Sequence, residues 1–365
     1  MLRQQKLFLL LLFMKKILAL FFLFAFIYHI SMGCTTFFLQ KNGQMVFGRN
    51  YDWVTATGFV NTNLRGLAKT SLPLDKGNIL SWTSKYGSIT FNQYGKEFPN
   101  GGMNEQGLVV ELMWLSDARY PTPDNRPALS VLQWIQYQLD NCQTVEEVTS
   151  TDKILRIADT GTPQHYLVAD SKGKVATIEF LNGKMVVHTG NNLPYPVLAN
   201  STYESSLQML KTNSLKNEGP GFQANSGDRF STACAMVQQY TKKDTKKPII
   251  DYSFDILDKV SQGSFTKWSI VYDITNKRVY FKTHDYGKLK TFDLASFNFL
   301  CTSKPLAFNM NQNTAGNINK LFSSYSNEVN SKALKQAFKE SKGEVNIDEH
   351  LQEAAADLAE KVRCG

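Results

Sequence analysis

Asn42-Gly43 lies between two runs rich in strand-forming residues, 35–40 and 45–50, and it constrains this chain more than any other feature. Asn-Gly is the strongest short signal for a two-residue hairpin, because both residues accept the left-handed backbone that the turn demands. A turn at 42 and 43 pairs Lys41 with Gln44. Counting outward then pairs Thr36 with Arg49, and Cys34 with Tyr51. Side chains two apart share a face of a strand. Cys34, Thr36 and Arg49 therefore share one, with Arg49 diagonal to Cys34 and within reach of a long side chain. A guanidinium there favours thiolate. Asp52 falls just past the pairing, close to residue 34.

The segment before Cys34 gives that placement its chemical interest. Residues 1–33 carry Arg3, Lys6, Lys15 and Lys16 and no acid, and 17–30 is an apolar run broken only by Tyr28 and His29. This is signal-peptide rather than membrane-spanning length. Ser31 and Gly33 put small residues where a signal peptidase reads. Residues 1–33 are thus predicted to be a signal peptide, with Met1 and Met14 both available as starts, and the protein to be secreted or periplasmic. Cleavage would leave Cys34 first in the chain, with a thiol and a free α-amine on one residue. A terminal amine titrates near pH ~8 and can take the proton of its own side chain, giving a nucleophile with a built-in base. Two other readings are an uncleaved membrane anchor and a lipoprotein acylated on Cys34. Ser31-Met32-Gly33-Cys34 lacks the aliphatic residue usual three places before a lipidated cysteine. A lipid-anchored or secreted non-catalytic binding protein is the alternative function under those readings.

Composition narrows the classes further. The 365 residues carry a formal charge of +8, and the four leader cations leave +4 on the remainder. That is ordinary for a secreted protein and gives no case for nucleic acid. No membrane contact is expected after leader removal. With 42% apolar and 12% aromatic residues, residues 34–300 can bury one substantial core. Cysteines number five. With Cys34 set aside, four could form two disulfides in an oxidising compartment, and spacing alone does not pair them. Cys142 and Cys234 lie in apolar helical contexts, where a buried free thiol is the more common state. Cys301 with Cys364 would tie the tail down.

The Cys34-Thr35 pair followed by Gly48-Arg49-Asn50-Tyr51-Asp52-Trp53 resembles the choloylglycine hydrolases, the N-terminal-nucleophile group that includes bile salt hydrolases and penicillin V acylases. The resemblance continues through Trp82-Thr83-Ser84-Lys85-Tyr86-Gly87-Ser88 and Gly102-Met103-Asn104-Glu105-Gln106-Gly107-Leu108. It returns at Val197-Leu198-Ala199-Asn200-Ser201 and Ser226-Gly227-Asp228-Arg229-Phe230, and spans about 34–290. It implies hydrolysis of a linear amide in a small-molecule substrate through an acyl-enzyme, with no metal or cofactor, and a homo-oligomer, a tetramer in the family.

The rest of the chain reads as mixed α+β. Residues 63–77 read as loop and 107–115 as a buried strand. Residues 128–141 have helical spacing, and Thr144 caps a second helix with Glu147 as its capping-box partner. Residues 166–170, 174–180 and 184–188 read as strands, the last two joined by Asn182-Gly183. Residues 248–263 contain a helix that Ser253 is expected to cap, and 269–273 with 278–282 form a hairpin. Strands, then helices, then strands suggest helices layered on sheets. The resemblance makes this a four-layer αββα sandwich of two antiparallel sheets. From Phe292 the character changes. Residues 331–343 and 347–362 look helical, and 301–365 reads as a C-terminal extension with no chemistry assigned.

Three further positions complete the expected site. By resemblance, Asn200 supplies an amide donor to the oxyanion, where fixed donors stabilise developing charge by about 3 kcal/mol each. Asn200-Ser201-Thr202 is also a glycosylation sequon, which matters only in a eukaryotic secretory path. Arg229 lies near the nucleophile by the same resemblance. By the same resemblance Trp114 holds the site position after the Gly-Met-Asn-Glu-x-Gly-Leu motif, and its backbone N–H would be the second oxyanion donor. Trp53 and Trp114 beside a thiol would make an aromatic acyl pocket. With Cys34 they resemble the Gram-negative penicillin V acylase branch, whose members also accept acyl-homoserine lactones. A conjugated bile salt hydrolase is the alternative within the family.

Overall fold

The computed structural model describes residues 33–74, 79–212, 225–242 and 246–365. The leader reading, including the choice of start, lies outside these residues apart from Gly33. The hairpin forms as its turn requires. Thr35–Lys41 pairs antiparallel with Gln44–Asp52, with Lys41 opposite Gln44 and Thr36 opposite Arg49. Asn42 and Gly43 both take positive φ, 50° and 77°. The ladder begins at Thr35 opposite Asn50, one step inside the expected Cys34–Tyr51 pair.

The hairpin forms the second and third strands of a seven-stranded sheet. Val197–Leu198 lies on its outer edge, and Thr266–Asp273, Arg278–Thr283 and Lys290–Asp293 follow on the other side. A nine-stranded sheet contains Phe59–Asn63, Ser88–Asn92, Pro99–Asn104, Val109–Trp114, Gln164–Ala169 and Val175–Leu181. The two face each other through edge-to-face rings. Phe91 of the larger sheet meets Tyr272 and Phe281 of the smaller at 6.0 and 5.6 Å, a geometry favoured by the ring quadrupole. Helices Ser226–Lys242 and Ile249–Lys259 cover the smaller sheet, and Val131–Asn141 covers the larger. This is the αββα layering. It explains why residues 35–39 are buried without alternation: helices lie on one face of the strand and a sheet on the other.

Several expectations are corrected. Leu67–Thr70 is a strand rather than loop, paired on one side with Ser81–Thr83 and on the other with Arg363–Cys364. Its alternation is hidden because inward-facing Lys69 is buried on Glu97 and Asp140, 3.0 Å from each. The helix that Ser253 was expected to cap starts earlier, at Ile249 after Pro248, and Ser253 donates back to the Ile249 carbonyl. Pro suits a helix start, where its missing N–H costs nothing. One disulfide forms, Cys301–Cys364, while Cys142 and Cys234 are buried free thiols.

The compositional change at Phe292 marks no break in packing. Leu306–Asn309 pairs with Phe59–Asn63 in the larger sheet. Helices Asn327–Glu340 and Glu349–Lys361 then pack with Leu72, Leu74 and Phe98. Among the described residues no helix is long and apolar enough to cross a membrane.

Candidate active site

Cys34 enters the smaller sheet just before its first strand and is buried. Arg49 Nη2 donates to its Sγ at 3.8 Å, and Sγ faces the Asp52 carbonyl at 3.9 Å. The diagonal placement expected from the turn is therefore present. The guanidinium pulls toward thiolate as expected, but burial outweighs it. Burial pushes the Cys34 thiol above its ordinary range, against the pull of Arg49 and with Asp52 adding to the rise. Arg49 is itself occupied: Nη1 donates to the Asn100 carbonyl at 2.9 Å and forms a buried ion pair with Glu111. Tyr272 donates to the other Glu111 oxygen. Burial holds the Glu111 carboxyl up to about 7 despite Arg49.

Asp52 ends the second hairpin strand. Its carboxylate accepts from Thr266 Oγ1 at 2.5 Å and from Gln262 Nε2 at 2.9 Å. Burial raises this carboxyl, and Arg229 opposes the rise. Gln262 Nε2 also donates to the Gly33 carbonyl at 2.5 Å, so one amide bridges Asp52 and the residue before the thiol.

Arg229 lies in the first turn of Ser226–Lys242 and points into the sheet edge. Nη1 donates to the Cys34 carbonyl at 2.6 Å and to Thr35 Oγ1 at 2.7 Å, while Nη2 donates to Asn200 Oδ1 at 3.0 Å. Asn200 Nδ2 in turn donates to the Trp114 carbonyl at 2.8 Å. In an antiparallel ladder the N–H and C=O of one residue point the same way, and the next residue's point the other way. Leu115 N–H bonds Pro163 O, so the Trp114 N–H points away from that strand, to the side where its carbonyl meets Asn200. A Cβ on Gly33 would overlap the Arg229 guanidinium and Asn200 Oδ1. A larger residue at this position would require the Arg229 guanidinium or the Asn200 amide to shift.

Trp53 and Trp114 come together with ring centroids 6.1 Å apart, and both line one apolar cavity with Cys34. Trp53 Nε1 donates to Tyr94 Oη at 2.7 Å, and Trp114 Nε1 to Ser116 Oγ at 3.2 Å. All seven residues expected in the site (Cys34, Arg49, Asp52, Trp53, Trp114, Asn200 and Arg229) thus sit in one connected cluster.

Sequence reasoning missed Gln262, Thr266, Glu111 and a buried support behind Asn200. His165 Nδ1 faces Glu179 Oε1 at 3.1 Å and Nε2 faces the Ala199 carbonyl at 2.8 Å. Both ring nitrogens are engaged, and the bridge fixes the residue before Asn200. Glu111 had a signal, being the lone acid in the apolar run 107–115. Gln262 and Thr266 had none.

The sequence profile of the linear amide C-N hydrolases, choloylglycine hydrolase family, matches residues 34–307. Penicillin V acylase of Pectobacterium atrosepticum is 32% identical over 203 residues, covering 49% of this chain and 52% of that protein; the match spans about half the relative's length. The structure of penicillin V acylase from Agrobacterium tumefaciens superposes with a TM-score of 0.70 at 25% identity, over 80% of this chain and 98% of that one. A mutant of conjugated bile acid hydrolase from Clostridium perfringens shares the fold, with a TM-score of 0.63 at 20% identity over 78% of this chain and 98% of that one. The chain belongs to the choloylglycine hydrolase family of linear amide C-N hydrolases.

Proposed function

We propose that this protein is an N-terminal-cysteine amidohydrolase of penicillin V acylase type, secreted or periplasmic, and active once residues 1–33 are removed. The observation that carries the reading is the meeting of a buried thiol, two guanidiniums and an amide at a cavity walled by two indoles.

The steps follow from the groups present. With Gly33 attached, the nitrogen of Cys34 is an amide and no base. Cleavage frees an α-amine beside the thiol and releases Gln262 from the Gly33 carbonyl, leaving it on Asp52. Asp52 then orients the ammonium or amine. The amine takes the thiol proton, which offsets the burial that otherwise keeps the thiol neutral. The thiolate attacks the substrate carbonyl, and the oxyanion is held by Asn200 Nδ2 and the Trp114 N–H. Arg49 and Arg229 hold the thiol and the Cys34 backbone in place. The ammonium protonates the leaving nitrogen, the C–N bond breaks and a thioester remains. Water, deprotonated by the same amine, attacks the thioester and releases the carboxylic acid with the thiol restored.

Substrate choice follows from the indoles. Two flat faces beside the thiol suit a phenoxyacetyl or medium alkyl group better than a steroid, which needs a long open groove. Penicillin V or a medium-chain acyl-homoserine lactone should therefore be cleaved with higher kcat/KM than glycocholate on one mature preparation. Faster glycocholate cleavage would make the tryptophans groove walls and favour the bile salt reading.

A further inference from the structure

We propose that the C-terminal helical pair is a specificity element, a wall of the acyl pocket that sets the length of the acyl group taken; this rests on the acyl-binding reading above. The pair lies beyond the family match, which ends at residue 307. The solved relatives are covered over 98% of their own chains with 80% and 78% of this one. The cavity holding Cys34, Trp53 and Trp114 is nevertheless lined also by Phe338, Ile347 and Leu351 of the tail. Its shape therefore depends on residues outside the matched region.

The wall is fixed in place. Buried Ser341 Oγ lies 2.7 Å from Tyr94 Oη and accepts from Trp53 Nε1 at 3.2 Å, so the tail touches a pocket indole directly. The Phe338 ring packs 4.8 Å from that of Tyr94. Glu340 accepts from Thr55 and Thr57 just after Trp53. At the far end, Arg363–Cys364 adds a strand beside Leu67–Thr70, and Cys364 is bonded to Cys301. A wall anchored at both ends restricts chain length more sharply than a loose flap. The side chains it offers to the cavity are apolar, so a polar group at the distal end of the acyl chain would be buried without a partner. The preferred acyl group is a flexible alkyl chain or a single ring, apolar to its tip.

The test reads binding and turnover side by side on the full mature chain. Tryptophan fluorescence is titrated with straight-chain acids from butanoic to hexadecanoic, and kcat/KM is measured for acyl-homoserine lactones of matching lengths. The wild type should gain affinity with length up to a limit. Phe338→Ala, which trims a half-buried side chain, should move the limit to longer chains. It should also raise the long-to-short preference about tenfold in both series, the scale of a small change in an apolar pocket. Phe338→Trp should move the limit the other way, and Ile347→Ala gives a second trimmed wall should either variant misfold by circular dichroism. A limit unmoved in every folded variant, with lactones still hydrolysed, overturns the wall and leaves the hydrolase reading standing. A limit that moves in the binding series while no protein cleaves an amide supports the wall and overturns the hydrolase reading.

Discussion

The hairpin around Asn42-Gly43 and the helical pair at the end of the chain reach the same cavity by different physics. The hairpin brings charged and polar groups into a buried site, each held by several partners: Arg49 by Cys34, Asn100 and Glu111, and Asp52 by Gln262 and Thr266. The tail brings apolar side chains on helices whose outer faces are exposed, pinned by a few polar contacts and a disulfide. Buried polar groups are costly when unpaired, so their positions are over-determined. An apolar wall is restricted by shape alone and can change without stranding a charge. On the proposed reading, the hairpin carries the chemistry, the indoles shape the acyl pocket, and the tail adds a limit on acyl length.

Breaking the hairpin side should abolish turnover. Cys34→Ser should still bind substrate but give the largest rate loss, because a hydroxyl is far harder to ionise than a thiol; burst and steady-state kinetics with penicillin V measure it. Asn200→Ala should follow, with kcat down roughly 10²–10³-fold and the circular dichroism spectrum retained. A near-wild-type Asn200→Ala enzyme would mean that the oxyanion is held elsewhere.

Breaking the tail side should leave the chemistry and loosen the pocket. The Cys301–Cys364 bond closes a span of 63 residues, worth about 4 kcal/mol in the chain-entropy account. The double variant Cys301→Ser/Cys364→Ser should melt at lower temperature and show a flatter chain-length profile, with turnover of a short acyl substrate near wild type. Equal loss on every substrate would show that the tail supports the catalytic groups themselves.

The smallest effect concerns pH. In protein retaining Gly33, burial favours the neutral Cys34 thiol, so thiolate forms only above the ordinary range and alkylation by iodoacetamide should keep climbing at alkaline pH. Glu111→Gln removes the carboxylate opposite Arg49 and leaves that charge to the thiol. The alkylation profile should then move to lower pH. No movement would mean that Arg49 does not act on Sγ.

The same contrast explains what the sequence disclosed. The hairpin was legible because its turn chemistry is local and its register follows by counting. The resemblance carried Asn200, Arg229 and the pairing of the two indoles, none of which periodicity could join. Gln262 and Thr266 reach Asp52 across more than two hundred residues with no motif to mark them. Leu67–Thr70 is a strand only because elements on both sides pair with it, one of them the short strand Arg363–Cys364 at the end of the tail. The helices of the tail were visible from their spacing, but where an amphipathic helix docks is decided by the surface it meets.

In the proposed mechanism the freed amine of Cys34 and its thiol act together. The most direct measurement is intact and peptide mass spectrometry of two preparations quenched during turnover of penicillin V, one beginning at Cys34 and one retaining Gly33. An acyl adduct is expected on the Cys34 peptide of the first, and neither adduct nor turnover in the second. Equal turnover by both preparations would contradict the mechanism.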